Sequence, residues 1–435
     1  MHHVSKLKNG ITLIQVPVKG TKAVTVLAMF PVGSRYEERE ISGASHFVEH
    51  LMFKGTKKRP KAIDISRILD AVGAQYNAFT SKEYTGYYIK IMGSKQELAY
   101  DLLSDMIFNS EFKAEEIERE KGPIIEELRM YSDNPLMDIE ENFEELMYGD
   151  MPLGWKIVGT EETLRAMNRE KLWNYYQKHY SPQNMVLVLA GDIEKNKSKL
   201  LKKYFENHSS PSGATKLSYY QKNYKRVEWK NEKQSLEERV VVKEKKVDQT
   251  QVVIGFPGLP SEHKDRYVQS VLSTILGGGM SSRLFSEVRE KRGLAYMVRA
   301  SVAGYRDAGS IYVQAGLDPS RLEEAVKVIR EELKKMTTDL VGEEELKDAK
   351  SNLIGHLALQ MEDSHNQANW YAEKFLFSSK LETYEQVVKN IKAVTAASIK
   401  KLAQKLFIDS EVRLAAIGPF SKEKFLKTIE TSYGK

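Results

Sequence analysis

The 435 residues are 41% hydrophobic and 29% charged, enough apolar material for more than one core and too balanced a composition for a disordered chain. The absence of cysteine excludes disulfides and thiolate ligands, so a metal must be held by histidine and carboxylate. A formal charge of +6, from 66 basic and 60 acidic residues interleaved along the chain, leaves no nucleic-acid footprint, and no apolar stretch is long enough to read as a membrane span.

The N-terminus, Met1-His2-His3-Val4, lacks a signal peptide's apolar region, and a cytoplasmic location is expected. Residues 11–16 and 23–30 are β-rich runs that read as paired strands. Helical periodicity follows over 42–52 and 63–72. Two strand-like runs then surround Asn77 and Tyr87, and helices are predicted over 96–108 and 114–131, with a break at Asn134-Pro135. The first half closes on a strand at 185–190 and a Lys-rich helix. From about 209 to 246 the chain turns polar and charged, as in Lys230-Asn231-Glu232-Lys233-Gln234. The boundaries are drawn accordingly: a first domain over 1–215, a charged linker over 216–245 and a second domain over 246–435.

An internal repeat relates the halves. Phe30-Pro31-Val32-Gly33 matches Phe256-Pro257-Gly258, and Leu189-Ala190-Gly191-Asp192 matches Ala416-Ile417-Gly418-Pro419, with offsets of 226 and 227 residues. Two homologous α+β domains are the expected fold.

The chemistry concentrates in His46-Phe47-Val48-Glu49-His50. On a helix, residues four apart lie one turn apart on one face, so both imidazoles reach one ion and Glu49 stands beside them. H-x-x-E-H is the reverse of the zincin order H-E-x-x-H, and both orders place two histidines and a glutamate on one turn. Such a site leaves a coordination position for water, and the adjacent carboxylate takes its proton. The corresponding stretch of the second half, Leu272-Ser273-Thr274-Ile275-Leu276, has no metal ligand, so only the first domain holds this metal. Downstream, Glu120 and Glu127 are seven residues apart and share a helical face, within a segment that Pro123 interrupts.

Together these residues resemble the pitrilysin and insulin-degrading enzyme family, whose other branch is the mitochondrial processing peptidase. That family pairs H-x-x-E-H with a glutamate about 77 residues beyond the second histidine, which here is Glu127. The resemblance implies His46, His50 and Glu127 as ligands of one Zn2+ per chain, Glu49 as general base and Glu120 as a supporting carboxylate. Asn77-Ala78-Phe79-Thr80 resembles the family's edge strand, to which an extended substrate adds by main-chain hydrogen bonds. Pro152-Leu153-Gly154 and Gly159-Thr160 match structural loop positions. In the second half, Gly277-Gly278-Gly279 without a G-x-x-x-x-G-K-[ST] pattern is a weak phosphate-loop candidate. By resemblance Arg289 and Tyr296 hold the substrate carbonyl and stabilise its oxyanion.

The resemblance therefore implies a zinc endopeptidase for peptides or unfolded segments, the chain forming half of a clam-shell chamber and pairing as a homodimer, or as a heterodimer with a paralogue. The rival class is a non-catalytic structural or assembly paralogue of the same fold, which loss of a ligand or of Glu49 would announce; all four residues are present.

Overall fold

The computed structural model describes residues 2–193, 198–227, 234–378 and 381–433. Eleven strands lie among them: β1 (His3–Lys6), β2 (Thr12–Pro17), β3 (Ala23–Phe30), β4 (Gln75–Thr80), β5 (Thr85–Met92), β6 (Val186–Gly191), β7 (Val240–Glu244), β8 (Thr250–Pro257), β9 (Ala295–Gly304), β10 (Gly309–Leu317) and β11 (Arg413–Gly418). Numbered in chain order, the helices that matter below are α1 (Ala44–Leu51), α2 (Ala62–Asp70), α3 (Gln96–Asn109), α4 (Ala114–Asp133), α5 (Pro135–Tyr148), α6 (Arg266–Gly277) and α7 (Ser364–Phe377). Among the described residues no helix is long and apolar enough to cross a membrane.

The chain divides into two units, each gathered from three stretches of sequence. The first comprises Met1–Arg129, Trp155–Lys225 and Ala358–Leu381, the second Met130–Gly154, Arg226–Leu357 and Glu382–Lys435. The first is built on a six-stranded sheet of order β1-β2-β6-β3-β5-β4, the second on a five-stranded sheet of order β7-β11-β8-β10-β9. Omitting β1, the two orders correspond strand for strand. In each, one pair is parallel (β2 with β6, β7 with β11) and the rest are antiparallel, which is the internal repeat expressed as topology.

Two sequence expectations need correction. Residues 11–16 and 23–30 do form strands, but β2 and β3 do not pair. β6 lies between them, parallel to β2 and antiparallel to β3. With strands about 4.8 Å apart, the short link after β2 spans one intervening strand easily, and β6, buried at every position, has the composition of a central strand. The second correction concerns the domains, whose units are not contiguous. Helix α7 lays Ala368, Ala372 and Leu376 against Ile14, Leu27 and Val188 of the first sheet, and α5 lays Ile139, Phe143 and Met147 against Val253, Ala415 and Ile417 of the second. Each sheet thus covers a face with a helix from the other half of the sequence. The stretch 216–245 is structured at both ends, with a helix at Leu217–Lys222 and strand β7; residues 228–233, which hold most of the charged run, lie outside the described residues.

Candidate metal centre

Helix α1 buries Ala44, Phe47, Val48 and Leu51, the i, i+3, i+4, i+7 stripe of an amphipathic helix. That stripe leaves Glu49 and His50 half-buried, with His46 buried beside them. Helix α4 runs unbroken through Gly122-Pro123. It buries Ile117, Glu120 and Ile124, so Glu127, seven residues after Glu120, falls on the same face.

His46, His50 and Glu127 converge, each offering one ligand atom within 4.8 Å of the others. Glu127 Oε2 stands 3.6 Å from His46 Nε2 and 3.5 Å from His50 Nε2. These separations are too long for good hydrogen bonds but match the edge of about 3.4 Å expected between ligands ~2.1 Å from a tetrahedral ion. Two imidazoles and a carboxylate are a donor set that suits a borderline divalent metal. The residues present fit one ion.

The surrounding groups prepare these ligands. Glu120 Oε1 lies 2.9 Å from His50 Nδ1 and its Oε2 lies 2.6 Å from Lys54 Nζ. A proton held at Nδ1 by Glu120 leaves the Nε2 lone pair facing Glu127 and the ion position. Burial opposes charge on Glu120, but the hydrogen bonds to His50 and Lys54 outweigh it and hold the carboxyl below its ordinary range. His50 behaves alike: burial pulls its pKa down, yet Glu120, Glu127 and Glu49 around it win and raise it to about 9. His46, by contrast, is lowered to about 4 by burial and then by the nearby His50 charge. Without metal one proton therefore sits on the His50 side of the pair, where an ion would replace it. Glu49 is raised, chiefly by burial, while the Thr80 hydroxyl that donates to its Oε2 works against the shift.

Asn77, Ala78 and Phe79 lie on β4, which among the described residues pairs only with β5 and forms an edge of the first sheet. The Ala78 N–H donates to Asn77 Oδ1 at 2.9 Å, so a side chain covers it. Phe79 lies across Gly86, where an added Cβ would stand 2.3 Å from the ring. In the second unit, Arg289 sits in a π-helical turn at Phe285–Glu290, with its guanidinium 4.8 Å from the Phe285 ring centre and 5.1 Å from that of Tyr296. Tyr296, at the start of β9, is exposed and lines a cavity of about 670 Å³ with Tyr131, Glu140, Glu144, Arg299 and Tyr312. Gly277 ends α6 against β9, where a Cβ would meet the Ala300 nitrogen at 2.2 Å. It serves close packing at a helix C-terminus, the opposite pole from the one that binds phosphate.

Three residues beside the ligands were not assigned from sequence: Thr80 on Glu49, Lys54 on Glu120, and Glu37, whose carboxylate meets the first turn of α1. Lys54 stands four residues beyond His50, a spacing that hinted at it. Glu37 and Thr80 reach the site through tertiary contacts that leave no periodic trace.

The comparisons with known proteins agree with this architecture. A model described as Insulinase (Peptidase family M16) matches residues 15–161, and one described as Peptidase M16 inactive domain matches residues 166–353. An uncharacterized zinc protease of Bacillus subtilis is 33% identical over 412 residues, 95% of this chain and 97% of the relative. One from Streptomyces coelicolor is 34% identical over 419 residues, 96% of this chain and 90% of its own. A crystal structure of a protease from Helicobacter pylori superposes with a TM-score of 0.86 at 25% identity, covering 96% of this chain and all (100%) of that one. The peptidase M16 inactive domain structure from Pseudomonas fluorescens, also at 0.86 but 18% identical over 97% of this chain and 98% of its own, shares the fold. This chain belongs to peptidase family M16.

Proposed function

We propose that the chain is a zinc-dependent endopeptidase that hydrolyses peptides or unfolded segments. The observation that supports this most is the convergence of His46, His50 and Glu127 with Glu49 on the same turn of α1. His46, His50 and Glu127 would hold zinc, the metal named in the relatives above. When bound, the ion supplies Lewis acidity, acidifying a water and polarising the scissile carbonyl.

The rest is done by the chain's own groups. Glu49 Oε accepts a proton from the attacking water and passes it to the leaving amine nitrogen, while the Thr80 hydroxyl holds the other side of that carboxylate. Glu120 orients His50 through Nδ1. The free edge of β4 at Asn77, Ala78 and Phe79 receives an extended peptide by main-chain pairing, with Asn77 turning aside to release the Ala78 N–H. Arg289 and Tyr296 donate to the oxyanion that develops on the carbonyl. They belong to the second unit, and we propose that a homodimer, or a heterodimer with a paralogue, encloses the chamber in which they act.

Glu49→Gln tests the reading. It removes the base and keeps every ligand, so the variant should bind about one zinc per chain and lose peptide turnover, while His50→Ala and Glu127→Ala lose both. Full turnover in Glu49→Gln, or zinc retained after loss of a ligand, overturns the assignment.

A further inference from the structure

Helix α1 opens on Gly43, at φ 96°, and no N-cap side chain serves its first turn. Two of the backbone donors there go instead to Glu37. Its Oε2 accepts from Gly43 N–H and its Oε1 from Ser45 N–H, both at 2.7 Å; burial raises the Glu37 pKa to about 7, and these bonds, with the Lys82 charge, work against that shift in favour of the carboxylate. Glu37 is only 4% exposed. An anion at a helix N-terminus is favoured by the unpaired N–H groups and the dipole, and a two-oxygen grip on alternate residues also fixes the direction in which the helix leaves.

The other side of the same turn is clamped by backbone. A Cβ on Gly43 would stand 2.4 Å from the Val158 oxygen, and one on Gly159 would stand 2.4 Å from the Ser42 oxygen, so the two loops meet with no room for side chains. Thr163 Oγ1 donates to the Ser42 carbonyl at 2.8 Å, and the Ser45 and Tyr175 hydroxyls share a hydrogen bond of 2.6 Å. The segment that carries Glu37 also grips the end of β4. Ser34 N–H and Arg35 N–H donate to the Ser81 and Lys82 carbonyls at 3.3 and 2.8 Å, and the buried Arg35 Nη1 donates to Glu83 Oε1 at 2.7 Å. One residue before Ser81 is Thr80, which holds Glu49.

We propose that Glu37 is a positioning residue: acting through the backbone of α1, its carboxylate sets where His46, Glu49 and His50 stand relative to Glu127 and Thr80. The proposal rests on the zinc-site reading above. A cap that only supported the fold would change unfolding alone. A positioning residue also changes what the folded protein does with metal and substrate.

The experiment compares full-length Glu37→Gln and Glu37→Asp with the parent, by zinc competition against a chromophoric chelator and by peptide kinetics on protein shown to be folded by circular dichroism. Glutamine turns one acceptor oxygen into an N–H donor that faces another donor. It should weaken zinc binding about tenfold and lower kcat about tenfold with KM within about twofold, and aspartate, which keeps the carboxylate, should recover part of both. Parental zinc affinity and kcat in folded Glu37→Gln overturn the proposal. If that variant does not fold, parental values in Glu37→Asp overturn it and a fall in both upholds it. Should the parent cleave no peptide, the peptidase reading fails while the chelator competition still decides the role of Glu37.

Discussion

His50 is held at Nδ1 by Glu120 and turns its Nε2 to Glu127 and the ion position, and the two sides of the ring are separable by mutation. Glu120→Gln leaves every ligand in place and removes the charge that biases the tautomer. Zinc affinity is expected to fall about 10- to 100-fold, measured by chelator competition; an unchanged affinity would show that the 2.9 Å contact does not tune the ligand. A second residue reports on pH. His179 is buried against Tyr220, its Nδ1 2.7 Å from the hydroxyl, and burial lowers its pKa from 6.5 to about 3. A depressed folded pKa means that the unfolded chain binds the proton first. The stability contributed is therefore whole above pH 6.5 and is lost as pH falls towards the folded value, at up to ~1.4 kcal/mol per pH unit. His179→Gln should flatten the dependence of the urea midpoint on pH between about 6.5 and 4 relative to the parent. Parallel curves for the two proteins would show that His179 does not titrate on unfolding.

At the scale of elements, β4 is where packing would bear on the substrate capture proposed above. Its inner edge is paired to β5 and, among the described residues, no strand pairs with its outer edge, while Phe79 lies across Gly86. Gly86→Ala would drive a methyl into that ring, so the Phe79 side chain must leave its place on β4. The expected result is a severalfold rise in KM for an unstructured peptide with zinc content unchanged; a parental KM would mean that β4 does not carry substrate. Edge pairing also requires an extended partner. Unstructured peptides should be cleaved and a disulfide-closed, stably folded domain spared, which a digest followed by mass spectrometry decides. Efficient cleavage of the closed domain would contradict capture by strand addition.

For the whole molecule, the question is whether the second unit contributes chemistry or only scaffold. Tyr296→Phe should lower kcat/KM about 100-fold, the typical loss on deleting an oxyanion donor, with zinc content unchanged. Mixing Glu49→Gln with Tyr296→Phe subunits then asks which chain completes the site. If sites draw on two chains, the mixture recovers activity well above the sum of its parts, because each mixed pair has one intact site. Absence of rescue assigns the metal and Tyr296 to one chain. Parental kinetics in both Tyr296→Phe and Arg289→Ala would leave the second unit without a catalytic role.

Local rules and family spacing together carried much of this protein. Helix α1 and the position of its histidines follow from a stripe of apolar residues and the four-residue spacing of His46 and His50, both readable without a fold. Spacing beyond one helix is different, because nothing local brings Glu127 to His50; the family's interval of 77 residues stood in for a contact that depends on α4 packing beside α1. Strands β2 to β6 were legible because β-branched runs are local, and the repeat because two copies preserve the same strand exits. Strand order was not legible, since β6 enters between β2 and β3 through contacts across the sequence and leaves both runs unchanged. For the same reason the exchange of α5 and α7 between the sheets was invisible: an amphipathic helix encodes an apolar face but not the sheet that will cover it. Glu37, Lys54 and Thr80 owe their roles to where the chain passes after folding. A single carboxylate, ammonium or hydroxyl has no periodicity, and only the tertiary structure selects its partner.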